Sequence, residues 1–169
     1  MALTLNLSEH QDLPIGVFDS GVGGLTVLKA LKEKCPNEHF IYLGDTARLP
    51  YGTKSAQTVI HYAASCADLL KKRGIKLLVI ACNTATSFAL ESLVRDFYPI
   101  PVVGVIEPGA LAACEASLNN HITVLATEGT VRSHAYQQAI HHIKTDALVT
   151  EQSCSLMVSL AEEGWTQGR

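Results

Sequence analysis

Short apolar runs rich in β-branched residues recur at 15–18, 40–43, 77–81, 102–105, 122–126 and 147–149, spaced widely enough for helices to stand between them. Continuous apolar runs belong to strands buried on both faces, and strands that alternate with helices assemble into parallel sheets. Between the second and third runs, Val59, Tyr62, Ala63, Cys66, Leu69 and Leu70 fall at helical spacing. Lys71-Lys72-Arg73 and then Gly74 give that helix a cationic last turn and a terminating glycine. The expected fold class is therefore α/β with parallel sheets.

The loops after these runs bear on function. The first run leads into Asp19-Ser20-Gly21, the second into Gly44-Asp45-Thr46, the third into Cys82-Asn83-Thr84 and the fifth into Thr127-Glu128-Gly129-Thr130. In open parallel sheets, ligands bind outside the carboxyl ends of the strands, where helix N-termini offer free N–H groups to anions. Any one of these loops also reads as helix capping; four together point to a site. Asp19-Ser20-Gly21 and Glu128-Gly129-Thr130 occupy like places, which hints at two related halves joined near 100–109.

Composition bounds the partners. With 169 residues, 47% hydrophobic and 17% charged, the chain has room for one large α/β domain or two small ones. A net charge of -3 and no basic cluster beyond Lys71-Lys72-Arg73 leave no footprint for nucleic acid or an anionic membrane. The apolar runs fall short of the roughly 20 residues of a membrane helix. Residues 1–13 lack a basic start and an extended apolar stretch, so they read as a flexible tail of a cytoplasmic protein and not as an export signal. Five cysteines without a CxxC spacing argue against a disulfide framework and a metal site.

Several chemistries can be weighed on these residues. Gly21-Val22-Gly23-Gly24 after a strand, with Asp45 as a ribose acid, suggests a nucleotide-binding domain, but Thr26 stands where the third glycine is needed. A cysteine phosphatase loop needs arginine where Phe88 stands, and none of the seven histidines carries a signature tying it to Cys82. Cys82 is set apart from the other cysteines because it follows a strand and opens a helix, where the helix dipole and N–H groups would lower its pKa and supply thiolate. The competing reading is a buried structural cysteine. A thiol base beside anion-binding loops suits an amino-acid Cα, and without a cofactor the carbanionic transition state needs a base on one face and an acid on the other.

Four segments, Gly16-Val17-Phe18-Asp19-Ser20-Gly21-Val22-Gly23-Gly24, Leu43-Gly44-Asp45-Thr46-Ala47-Arg48-Leu49-Pro50-Tyr51-Gly52, Ala81-Cys82-Asn83-Thr84-Ala85-Thr86 and Gly104-Val105-Ile106-Glu107-Pro108-Gly109-Ala110, resemble the glutamate racemases of the aspartate/glutamate racemase superfamily. The resemblance continues, more loosely, through Thr127-Glu128-Gly129-Thr130-Val131-Arg132-Ser133. It implies two parallel-sheet α/β domains, 14–100 and 101–169, the second incomplete and the return to the first truncated. It also implies cofactor-independent interconversion of L- and D-glutamate by two cysteines, supplying D-glutamate for peptidoglycan, in a cytoplasmic enzyme that could pair as a homodimer.

Carried over by the same resemblance, Cys82 is one catalytic thiol and Asp19 assists its proton exchange. Ser20, Tyr51, Gly52, Asn83 and Thr84 hold the substrate, with Thr127, Thr130 and Glu162 as contacts from the second half. The sequence departs from the family at Ala126, where glycine is usual, and at Ser155 and Ser159, near where proline is usual. The Cys-Thr-His segment of the second thiol is missing; the step from Asp19 to Cys82, repeated from Thr127, reaches roughly residue 190. Racemisation by this chain alone is therefore expected to be slow or absent. Three alternatives stand beside this reading: a racemase for another amino acid such as aspartate, a non-catalytic truncated ligand-binding chain, and a nucleotide-binding domain.

Overall fold

A computed structural model describes residues 12–165, 167 and 168, apart from the side chain of Glu162. Most of the tail expected at 1–13 lies outside the described residues. The first sheet contains four parallel strands, β1 (Ile15–Asp19), β2 (Phe40–Gly44), β3 (Leu77–Ile80) and β4 (Val102–Gly104), in the order β2-β1-β3-β4. Helices α1 (Leu25–Lys34), α2 (Ala56–Lys71) and α3 (Asn83–Asp96) connect them.

Alternate residues of β1 and β3 serve two cores. Phe18, Leu78 and Ile80 pack with Val59, Ala63 and Leu70 of α2 and Ala85, Ala89 and Leu93 of α3. On the other face Ile15, Val17 and Val79 meet Val27, Leu28 and Leu31 of α1. Burial on both sides is why these strands read as unbroken apolar runs. Just beyond α2 and its C-cap Lys72, Gly74 adopts φ +72°, the left-handed conformation that turns the chain away after the last turn.

The second sheet is a parallel pair, β5 (His121–Ala126) and β6 (Leu148–Ser153), with α4 (Ile106–Ala116), α5 (Glu128–Ser133), α6 (Ala135–Ile143) and α7 (Ser155–Glu162) around it. Ala110 and Cys114 of α4 and Ile140 of α6 close over Ile122. Among the described residues nothing covers the opposite face: Leu125 is 59% exposed and Leu148 61%.

Two expectations change. The last strand, expected only over 147–149, runs on through Thr150, Glu151, Gln152 and Ser153 in register with β5. Its residues alternate between exposed and half-buried, so its signal is a period of two and not an apolar run. Strand β4 pairs with β3, so the first sheet extends past the division placed after residue 100.

Candidate strand-end site

Strand β1 lies between β2 and β3, so chain direction across the sheet reverses beside it, and the crevice at that switch point opens at the strands' carboxyl ends. Asp19 ends β1. The N–H of Ala81 donates to Phe18 O at 2.7 Å, which carries the ladder past β3 and brings Cys82 beside Ser20. The Cys82 thiol donates to Ser20 Oγ at 3.2 Å and accepts from Ala85 N–H at 3.4 Å as the N-cap of α3.

Cys82 is only 6% exposed. Burial pushes its thiol pKa up, and the Asp19 carboxylate adds to that, while Ser20 and the Ala85 N–H pull the other way. The helix-start amide thus acts as the sequence suggested, but the cost of stripping water from a thiolate outweighs it. The expected low-pKa thiolate is corrected to a neutral thiol in this arrangement. Its placement is not unique either: Cys154 also follows a strand and precedes a helix, although its side chain caps nothing and lies 3.7 Å from Gln152 O.

The glycine loop serves Asp19. Its Oδ2 accepts from Gly21 N–H at 3.1 Å and Gly24 N–H at 2.9 Å, and a Cβ at Gly24 would stand 2.6 Å from that of Asp19. The loop wraps the chain's own carboxylate, where a dinucleotide fingerprint would wrap a pyrophosphate.

The second half meets these groups through hydroxyls. Thr84 Oγ1 lies 2.9 Å from Thr127 Oγ1 and 3.2 Å from Thr130 Oγ1, and the last two are 3.0 Å apart. Thr84 lies in the first turn of α3 and Thr127 caps α5, so the starts of two helices converge from different sheets. The 3-10 turn Tyr51–Thr53 lies against them: a Cβ at Gly52 would overlap Thr127, and one at Gly129 would come within 3.0 Å of Gly52 O.

Tyr51 is fully buried, and its hydroxyl donates to Asp45 Oδ2 at 2.5 Å. Arg48 Nε pairs with the same oxygen at 2.7 Å. Burial, then Asp45, drives the Tyr51 phenol pKa far upward. The Tyr51 hydroxyl is therefore taken up by Asp45. Asn83 is exposed, and its Oδ1 accepts from Tyr136 OH at 2.7 Å. A cavity of about 410 Å³ is walled by Asn83, Thr127, Thr130, Tyr136 and the length of β5; Cys82 is not part of its wall. Glu162 closes α7, and its side chain lies outside the described residues.

The structure thus gathers Asp19, Ser20, Cys82 and Asn83 at one edge, and Thr84, Thr127, Thr130 and Gly52 at the join of the halves. Sequence reasoning missed Tyr136, because a tyrosine at an apolar helical position carries no mark of the residue it touches, and the pairing of Asp45 with Arg48 and Tyr51. Their spacing of three and six residues within one loop was the available signal.

A profile of Asp/Glu/Hydantoin racemases matches residues 15–168. The chain belongs to this racemase family. It is 55% identical over 152 residues to a glutamate racemase of Geobacter metallireducens and 50% identical over 156 residues to one of Aquifex aeolicus, matching 90% and 92% of this chain. Among solved racemases, the Francisella tularensis enzyme in complex with D-glutamate superposes with TM-score 0.87 at 42% identity, covering 94% of this chain and 59% of that one. The Aquifex pyrophilus glutamate racemase gives 0.81 at 47% identity, covering 93% and 61%. The chain spans 56% and 60% of the length of the Geobacter and Aquifex aeolicus relatives. Among the described residues, no helix is long and apolar enough to cross a membrane.

Proposed function

We propose that the strand-end site binds glutamate where the two sheets meet, and that Cys82 is one of two acid/base groups in a cofactor-independent interconversion of L- and D-glutamate. The observation that carries this is the run Cys82-Asn83-Thr84, which joins the two groups: Cys82 bonds Ser20, next to Asp19, in one sheet, and Thr84, two residues on, meets Thr127 and Thr130 at the end of a strand in the other. The converging starts of α3 and α5 suit a carboxylate, and the threonine hydroxyls, now bonded to one another, can turn to donate to it. Asp19, beside the thiol, suits the substrate's ammonium group.

A neutral thiol is the right resting form for returning a proton to a carbanion. To act as a base it must ionise, handing its proton to the Asp19 carboxylate or to water, and an ammonium group arriving beside Asp19 offsets the negative charge that opposes ionisation. Thiolate then takes the Cα proton, and a second group delivers one to the opposite face. Cys154 turns toward Gln152 O and is not assigned that role. The enzyme would work in the cytoplasm on a free amino acid, supply D-glutamate for peptidoglycan, and pair as a homodimer.

Calorimetric titration of the 169-residue chain with L-glutamate, D-glutamate, D-aspartate and NAD tests the site. Heat from glutamate that is lost in Ser20→Ala and Thr130→Val is expected; binding of NAD or aspartate with no response to glutamate would overturn the reading.

A further inference from the structure

The segment Gly104-Val105-Ile106-Glu107-Pro108-Gly109-Ala110 carries family resemblance but supplies no group to the site as described. Two of its glycines act as spacers. A Cβ at Gly104 would run into Thr86 of α3, and one at Gly109 would stand 2.9 Å from the hydroxyl oxygen of Tyr136 and 3.2 Å from its Cε1. Tyr136, in the first turn of α6, therefore lies across α4, with its phenol tip over residue 109. That tip reaches Asn83, next to Cys82, and both Tyr136 and Asn83 wall the cavity along β5.

A carboxamide presents two donors at one end and an acceptor at the other, and its neighbours decide which end faces where. With Oδ1 taken by the Tyr136 hydroxyl, Nδ2 and its two protons face away from Tyr136. The Tyr136 hydroxyl donates its proton to Oδ1, and burial, which raises the phenol pKa, favours the protonated form that makes this bond. A carboxylate ligand needs donors; a reversed Asn83 would offer it a carbonyl oxygen.

We infer that Tyr136 is a positioning residue that locks Asn83 with its NH2 group toward the strand-end cleft, where it donates to a carboxylate of the substrate, and that residue 109 is glycine because it admits the Tyr136 hydroxyl. The carboxylate part rests on the glutamate reading of the site. The contact among Tyr136, Asn83 and Gly109 does not.

The test tracks the Asn83 side-chain NH2 resonances in the 15N-labelled full chain, assigned with Asn83→Ala, together with calorimetric glutamate affinity. Tyr136→Phe and Gly109→Ala are each expected to shift that resonance pair and to weaken glutamate about tenfold, the scale of one hydrogen bond to a charged group. In the Asn83→Ala background, Tyr136→Phe should cost no further affinity. Alanine is the better helix former, so a Gly109→Ala chain that melts higher with unchanged affinity and unchanged Asn83 resonances would overturn the inference, as would additive losses in the double variant. If the resonances shift but the unmodified chain ignores glutamate, the contact is upheld and the carboxylate assignment falls.

Discussion

At the residue scale, the decisive quantity is how hard it is to ionise Cys82. Asp19 raises the thiol pKa through its charge and Ser20 lowers it through a hydrogen bond, so the two neighbours should act with opposite sign. Asp19→Asn keeps an oxygen for the Gly21 and Gly24 amides yet removes the charge, and should move the pH profile of Cys82 alkylation, read by peptide mass spectrometry, to lower pH. Ser20→Ala should move it higher. The same burial makes stability depend on pH. Cys82 is raised and Cys66 is pushed up to about 11, both chiefly by desolvation. Groups with raised folded values contribute stability that is complete below the ordinary thiol range near pH ~8.5 and lost as pH climbs through their folded values. The urea midpoint should therefore fall from about pH 8.5 toward 11, and a flat profile would contradict the assignment. The position of Cys82 at a strand end was legible in the sequence. Its pKa was not, because desolvation depends on what the fold brings around the sulfur, and Ser20, which the thiol bonds, lies 62 residues away in the chain.

At the element scale, the segment from Asp45 to Thr53 fixes how the halves meet. Its carboxylate, phenol and guanidinium lock the turn that lies on Thr127 and Gly129. Tyr51→Phe leaves the buried Asp45 carboxylate short of one donor and should cost about 1–3 kcal/mol in urea unfolding. Gly52→Ala should cost a similar amount, about 1–3 kcal/mol, by forcing the turn off Thr127, and hydrogen exchange at the Thr130 amide should quicken with it. The strands of the first sheet were readable because both faces are covered and apolar residues run without a break. Strand β6 was read short because only one face is covered, so Thr150, Glu151 and Gln152 hide the strand among polar residues. Tyr136 went unread because its partner lies on another helix, far away in sequence.

At the scale of the whole molecule, the two sheets differ in support. The first has four strands with helices on both faces, whereas the second has two strands and one bare face, and two-stranded sheets are marginal by themselves. Amides of Ile122 and Val124 should exchange well before those of Val17, Leu78 and Ile80. Leu125 and Leu148 on the bare face, with Leu156 and Met157 exposed on α7, should make the sedimentation coefficient rise with concentration; a clean monomer throughout would contradict that. The most direct measurement is deuterium incorporation at Cα when the 169-residue chain is incubated in deuterated water with each glutamate enantiomer, alongside Cys82→Ala. The expected result is incorporation that favours one enantiomer, depends on Cys82 and is accompanied by little loss of optical rotation. Incorporation that survives Cys82→Ala, or no incorporation from either enantiomer, would contradict Cys82 as one of the two acid/base groups.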